Sequence, residues 1–191
     1  MHRAMHLVVL GTIVPLGWAP AAFAALPVSL DDFKAQHAEL AKTPEGAAKC
    51  LFDAVYVYMN EETRDAGREM IQYVIIEFKD EPKWDSLPTS RIFVERMKDP
   101  AYHHIFRSYA KGTSPENGYA MDPNDYELNV ERANPNHDKG FQLYLRSSGA
   151  DIARPIYLKQ STTTQLWYIL DHKNIYTGIR PPKDPNKEEF K

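Results

Sequence analysis

Few residues of this chain stand at spacings that could do chemistry. His103 and His104 are adjacent. On a helix, adjacent side chains diverge by about 100°, so they cannot close on one metal ion as a pair four residues apart would. Asp122, Asp125 and Glu127 offer oxygen ligands. A calcium loop, however, needs ligands at alternating positions around a central glycine, and Pro123 with no following glycine breaks that pattern. His137-Asp138 lies in a polar turn without a placed nucleophile. Ser147-Ser148-Gly149 is turn chemistry, and no nucleophile elbow, phosphate loop or paired-glycine fingerprint is present. Cys50 is the single cysteine and sits in an apolar helical run, where a thiol acts as a small hydrophobe. The expectation is no catalytic residue, no metal site and no cofactor.

Binding chemistry is better represented. Tyr144 and Arg146 share one strand face because side chains alternate with period two. Arg154, Tyr157 and Trp167 follow on neighbouring segments. Arginine and aromatic residues are the side chains most enriched in binding hot spots, and a guanidinium holds carboxylates, phosphates or sugar acids bidentately. The expected contact surface is therefore Tyr144, Arg146, Arg154 and Trp167, extended by Tyr176 and Arg180, with Asp151 pairing to Arg154 across a turn. Its partner would be a protein or an anionic small ligand. The competing reading makes Trp167 and Tyr157 core residues and the arginines merely solvated. A second function class is an enzyme acting on small molecules or cell wall. Its pocket would lie between helices and sheet, lined by Asp53, Tyr56, Tyr73 and His103, with Asp or His as general base. A core filled by Phe52, Phe78 and Phe93 would exclude that pocket. A third class is an assembly role through an exposed strand edge.

The elements that must position these residues change character halfway along the chain. Ser29-Leu-Asp-Asp32 reads as a helix start running to about residue 41. Thr43-Pro44-Glu45 is a stronger one: an N-cap, a proline at the first helical position, and an acid at the positive helix end. Ala47, Ala48, Leu51, Phe52, Val55, Tyr58 and Met59 recur at helical spacing and make one apolar face. The pattern restarts after residues 60–62 and predicts a helix to about Lys79. Residues 71–78 are rich enough in β-formers to allow a strand. Further helical segments are expected at 89–97 and, behind Asp99-Pro100, at 101–110, with Gly112 as terminator. From Tyr126 the period becomes two. Strands are expected at 126–131, 141–146, 154–159 and 166–170, with a turn at 133–140 and a short edge piece at 174–179. Helices first and antiparallel strands afterwards make an α+β fold with segregated layers. Two architectures fit: an NTF2-like helix-and-cone arrangement, or a helical cap on an SH3-like barrel.

Composition bounds the setting. Residues 1–6 carry Arg3 and no acid, residues 7–18 are an apolar core of twelve, and Ala22-Phe23-Ala24 supplies the small residues signal peptidase requires. Twelve apolar residues are too few for a membrane anchor, which needs about 20. Residues 1–24 are therefore expected to be a cleaved signal peptide, 25–182 a single domain, and 183–191 a flexible charged tail. The 191 residues carry 23 basic and 26 acidic side chains, a net charge of −3. That balance, without a basic run, argues against nucleic acid and anionic membrane as partners. The chain reads as exported, to the periplasm or beyond, and soluble.

The run 141–159 followed by Leu166-Trp167, and the run 121–130, resemble a bacterial family catalogued as a domain of unknown function, often secreted or periplasmic. The shared motif is Ser148-Gly149-Ala150-Asp151, then Arg154-Pro155 ahead of a hairpin Trp167. The resemblance covers about residues 43–182. It implies a bacterial, exported setting and brings no catalytic residues to carry over.

Overall fold

The computed structural model describes residues 25–184. The expected signal segment 1–24 and the end of the expected tail, 185–191, lie outside the described residues.

The first half is helical, as the capping signals require. Helix α1 (Leu30–Leu40) is capped by Ser29, whose side chain accepts from the Asp32 N–H. Helix α2 (Pro44–Met59) starts on Thr43, which accepts from Gly46 N, with Pro44 in its first turn. From Ala47 to Met59 every residue of α2 except Lys49 is buried. The expected single apolar face is thus exceeded: α2 is enclosed all round by α1, by α3 (Arg64–Val74), by α4 (Arg91–Lys98) and by the sheet. Helix α3 ends five residues earlier than its periodicity predicts. Ile75 is extended and forms a parallel bridge to Ile169, and a 3₁₀ turn, Ile76–Phe78, follows. The β-branched pair there chooses the sheet edge over another helical turn.

The expected helix at 101–110 is also broken up. Asp99 caps Ala101 N at 2.9 Å, and a 3₁₀ turn, Pro100–Tyr102, precedes the short α5 (His104–Arg107). Gly112, at φ 80°, then lets the chain reverse.

The second half is a four-stranded antiparallel meander in the order β1-β2-β3-β4: β1 (Val130–His137), β2 (Gly140–Leu145), β3 (Arg154–Gln160) and β4 (Trp167–Asp171). The fold is α+β. The meander is open, with β1 and β4 as its edges, so the barrel closure considered above does not form. Two strand expectations are corrected. Residues 126–129 do not open β1, because they pair with the chain after α5, through Asn129 N to Tyr109 O and Lys111 N to Glu127 O. In return β1 runs through the expected turn at 133–137, and it tolerates Pro135 because it is an edge strand. Residues 174–179 form a turn rather than a strand, and Ile175 and Tyr176 are buried there.

Leu143, Leu145, Ile156, Leu158 and Ile169 alternate toward the helices and are fully buried. Between the two layers lies an aromatic core. Phe78 stacks on Trp84 at 4.7 Å, Phe93 stacks on Tyr176 at 5.2 Å, and Phe52 meets Tyr109 edge-on at 5.3 Å. The interior pocket that an enzyme of the expected kind would use is therefore occupied by side chains. His172 is enclosed by Phe78, Phe93 and Tyr176, with Nδ1 unpartnered.

Two outcomes follow. A Cβ on Gly67 of α3 would lie 2.3 Å from the Tyr58 backbone nitrogen, whereas one on Gly112 would meet nothing. Gly67→Ala should cost about 3 kcal/mol, by forcing two helix backbones apart, and Gly112→Ala only about 1 kcal/mol, by strain at positive φ. Equal losses in chemical denaturation would contradict that close crossing. Burial also lowers the His172 pKa to about 4, from 6.5. The unfolded chain therefore takes up a proton between pH 6.5 and 4 while the folded one does not. Stability is full above that window and falls on acidification through it, by up to about 3 kcal/mol. His172→Phe should remove about half of the slope in this window, because burial lowers His37 to about 4 as well and that contribution remains.

Candidate functional site

The six residues expected to form one contact surface are placed in four different settings. Tyr144 lies on the outer sheet face with the Arg132 guanidinium 3.8 Å over its ring. Arg146 reaches Glu131 at 3.7 Å and donates to Asp151 O at 3.0 Å, which joins it to the turn that also holds Arg180. Trp167 starts β4, half-buried, with its ring edge-on to Phe141 at 5.1 Å. Tyr176 is a core residue. Arg154 and Arg180 belong to a structural clamp. Arg154 donates to Gly178 O at 3.0 Å, and Arg180 pairs with Asp151 at 2.6 Å. Asp151 thus takes Arg180 in place of the expected Arg154.

That clamp is what the Ser-Gly-Ala-Asp and Arg-Pro segments build. Ser147 Oγ and Ser108 Oγ are 2.7 Å apart in a buried position, and Ser147 Oγ accepts from Gly149 N. Ser148 N donates to Ser108 O, so the turn is fixed to the end of α5. Gly149 is closely covered by side chains there. An added Cβ would lie 2.4 Å from the Tyr119 hydroxyl, which donates to Arg180 O. The motif holds residues 175–180 against the sheet.

The residues proposed to line an interior pocket are likewise committed elsewhere. Asp53 is buried in α2, and its carboxylate accepts from Gln36 Nε2 (2.9 Å), Lys49 Nζ (2.6 Å) and Tyr126 OH (2.8 Å). Burial pushes its carboxyl above the usual range, against the pull of the Lys49 ammonium and the three donors. Three donors converging on it are the surroundings of an anion that is held and not offered to a substrate. Tyr56 donates to Phe106 O, and burial raises its phenol. His103 Nε2 bonds to Met97 O at 2.8 Å. Residues 122–125 form a turn, with Asp122 Oδ1 accepting from Asn124 N. Cys50 is buried and its thiol is pushed up by desolvation, the surroundings of a packing residue rather than a nucleophile. Among the described residues no group of three His, Cys, Asp or Glu side chains is placed to hold a metal ion.

Of that set, Tyr73 lines a cavity at the rim of the sheet. A pocket of about 530 Å³ opens between the end of α3 and the β3–β4 turn. Tyr73, Ile76 and Lys79 form one wall, Lys159, Gln160 and Tyr168 the other, and Ser161, Thr162, Thr163 and Thr164 the rim. Neither lysine has a carboxylate partner among the described residues, and no acid lines the pocket. The Tyr73 and Tyr168 phenol oxygens are 3.4 Å apart, and burial raises the Tyr73 phenol, which keeps that group a neutral hydrogen-bonding hydroxyl.

The rim is preorganised. Ser161 Oγ accepts from Thr163 N and Thr164 N, Thr164 Oγ1 from Leu166 N, and Gln165 Nε2 donates to Thr162 O. Gln165 is held at φ 58°, a left-handed conformation unusual for a side-chain-bearing residue. Behind the phenols sits His37, its ring 5.3 Å from Tyr73 and 4.8 Å from Tyr168. Trp167 O can only accept, so His37 Nε2 carries the proton in their 3.0 Å bond, and Nδ1 is a buried unpartnered acceptor. Burial lowers this imidazole to about 4 and keeps it neutral. Sequence reasoning passed over this site. Its one signal was the run Ser161-Thr-Thr-Thr-Gln165, longer and richer in hydroxyls than a tight hairpin turn needs.

The chain belongs to the family DUF6935, a domain of unknown function, whose model matches residues 25–183. The resemblance read from the 121–130 and 141–167 segments to an uncharacterised domain family is thereby confirmed. No curated protein and no solved structure matches the chain.

The Asp53 network makes a direct prediction. Asp53→Ala removes the acceptor that joins α1, α2 and the segment before β1, and should lower unfolding stability by about 3–5 kcal/mol. A loss below about 1 kcal/mol in urea titration would show that the network is dispensable.

Proposed function

We propose that this member of the DUF6935 family is an exported bacterial binding module, taking an anionic, hydroxyl-bearing small ligand in the pocket between the β3–β4 turn and the end of α3. One observation carries this reading. Two ammonium groups without carboxylate partners among the described residues face a cavity lined by no acid, in a chain whose net charge is −3. The phenols and the threonine rim add neutral donors and acceptors, and Ile76 adds an apolar face, the mixture that orients a small polar ligand. A braced turn costs little ordering entropy on binding.

Export is supported by the charge, apolar core and Ala-x-Ala pattern of residues 1–24, and by a family match that starts at residue 25, directly after Ala24. Among the described residues no helix is long and apolar enough to cross a membrane. A binding role fits the pocket better than turnover does, because its one imidazole is buried behind the phenols and bound to a backbone carbonyl.

The test is an NMR titration of the protein with galacturonate, a sugar phosphate and neutral glucose. The two anions should move the resonances of Thr163 and Tyr168, while glucose should move them little. Lys79→Glu with Lys159→Glu should weaken anion binding by tenfold or more, since each lost contact with an exposed cation counts for up to about 1 kcal/mol and each new repulsion adds to it. Arg146→Glu, on the outer sheet face, should leave it unchanged. Binding that ignores the lysine reversals, or that follows Arg146 instead, would overturn the assignment.

A further inference from the structure

A second cleft lies away from the β3–β4 turn, where α4 and the turn after it meet residues 176–181. Its volume is about 370 Å³. Arg96 from the last turn of α4 and His104 from α5 both line it, with Tyr176, Ile105 and Ile179 as apolar walls and no carboxylate in the lining.

Arg96 is set up for recognition. Its guanidinium lies 3.7 Å from the ring centroid of Tyr102, which fixes the plane of the fork before any ligand arrives. Among the described residues its one carboxylate contact is with its sequence neighbour Glu95, which is half-exposed, at 3.4 Å. That distance is at the limit of a hydrogen bond and leaves most of the five N–H donors unused. His104 is oriented as firmly. Its Nδ1 lies 2.9 Å from Ala101 O, which can only accept, so Nδ1 carries a proton and Nε2 is left for another partner. The other titratable or charged groups facing the cleft or the ring are Tyr102, Tyr176 and Tyr119, the last with its ring centroid 5.6 Å from that of His104. The imidazole titrates below its ordinary value, first because of burial and next because the Arg96 charge is close. A guanidinium and an imidazole that repel each other across one acid-free cleft are relieved by an anion placed between them.

We infer that this cleft is a second binding site, for a compact oxyanion such as a carboxylate or a phosphate, held by the Arg96 fork and by Nε2–H of protonated His104. Ile105, Tyr176 and Ile179 then receive an apolar portion of the same ligand. The Thr177 hydroxyl stands exposed at the rim. The site is independent of the lysine pocket and shares no residue with it.

Linkage supplies a readout that belongs to this cleft alone. The His104 ring protons, followed by NMR against pH, report its pKa in the intact protein. Inorganic phosphate and acetate, added at constant ionic strength against chloride, should each raise that pKa saturably, by about one unit if the anion binds the protonated form tenfold tighter. A shift with phosphate alone would assign the site to phosphate, and a shift with acetate alone would assign it to carboxylates. Arg96→Gln should abolish the shift. Arg96→Lys, which keeps the charge but loses the fork and the stack, should weaken anion binding by about tenfold. Unchanged core methyl resonances check that each variant is folded, and Arg132→Gln, on the outer sheet face away from the cleft, serves as a control that leaves the shift in place. A His104 pKa that responds equally to chloride, or that still moves in Arg96→Gln, would overturn the proposal.

Discussion

A carboxylate in the middle of a helix that is buried all round is the constraint on which the rest of the structure depends. Asp53 sits between Phe52 and Ala54 in α2, and both neighbours are fully buried. An unpaired carboxylate there would cost several kcal/mol, more than most single interactions in a domain return. Its oxygens must be met, and each donor comes from a different place: Gln36 from α1, Lys49 one turn back on α2, and Tyr126 from the segment ahead of β1. The pairing therefore fixes the angle of α1 and draws residues 126–129 away from the sheet. Lys49 is held twice, by the ion pair and by lying 3.9 Å over the Tyr126 ring. An apolar substitute of similar size would fill the same space without choosing a partner, so the carboxylate gives specificity where apolar packing gives only cohesion.

The C-terminal part is fastened by a second principle, the buried tyrosine that donates to a distant carbonyl. Tyr109 reaches Ile175 O at 2.9 Å, Tyr119 reaches Arg180 O at 2.8 Å and Tyr56 reaches Phe106 O at 3.1 Å. Each ring adds apolar burial and each hydroxyl satisfies a main-chain acceptor that no strand partner could reach. This is why residues 174–180 stay ordered without becoming a strand. Together with the Ser108–Ser147 contact they make the Ser-Gly-Ala-Asp turn a fastening point. The same fastening shapes the Arg96 cleft, because its far wall is the segment so held.

The helix starts were legible because capping is local. A Thr-Pro-Glu or Ser-x-x-Asp run states its own geometry within four residues, and α1 and α2 begin where those runs place them. The two central hairpin strands were legible for the same reason. What the sequence left undetermined were choices made over long distances. Whether Ile75 extends a helix or bridges to Ile169 is decided by a strand almost a hundred residues later. Whether Tyr126 begins β1 or turns inward is decided by Asp53. Of the residues expected to form a contact surface, Arg146, Arg154 and Arg180 bond to the turns around Asp151 and Gly178, while Trp167 packs on Phe141 and Tyr176 is core, for a related reason. Side-chain parity placed Tyr144 and Arg146 correctly relative to each other, but it carries no information on whether an arginine is already engaged. Arg154 and Arg180 are engaged, by Gly178 O and Asp151.

That distinction also separates the cations that can recognise a ligand from those that cannot. Lys49, Arg154 and Arg180 have their partners inside the fold and are structural. Lys79 and Lys159 have no carboxylate partner among the described residues, and Arg96 has only its neighbour Glu95 at the edge of contact. Those three line concave surfaces from which acids are absent, although acidic residues outnumber basic ones in the chain as a whole. A concave, low-dielectric wall focuses the field of a small number of charges, so a few unpaired cations in a cleft attract an anion more strongly than the same cations spread over a convex face. In the proposed binding role, selectivity for a small anion would follow from where the positive charge is left unpaired, without any excess of it.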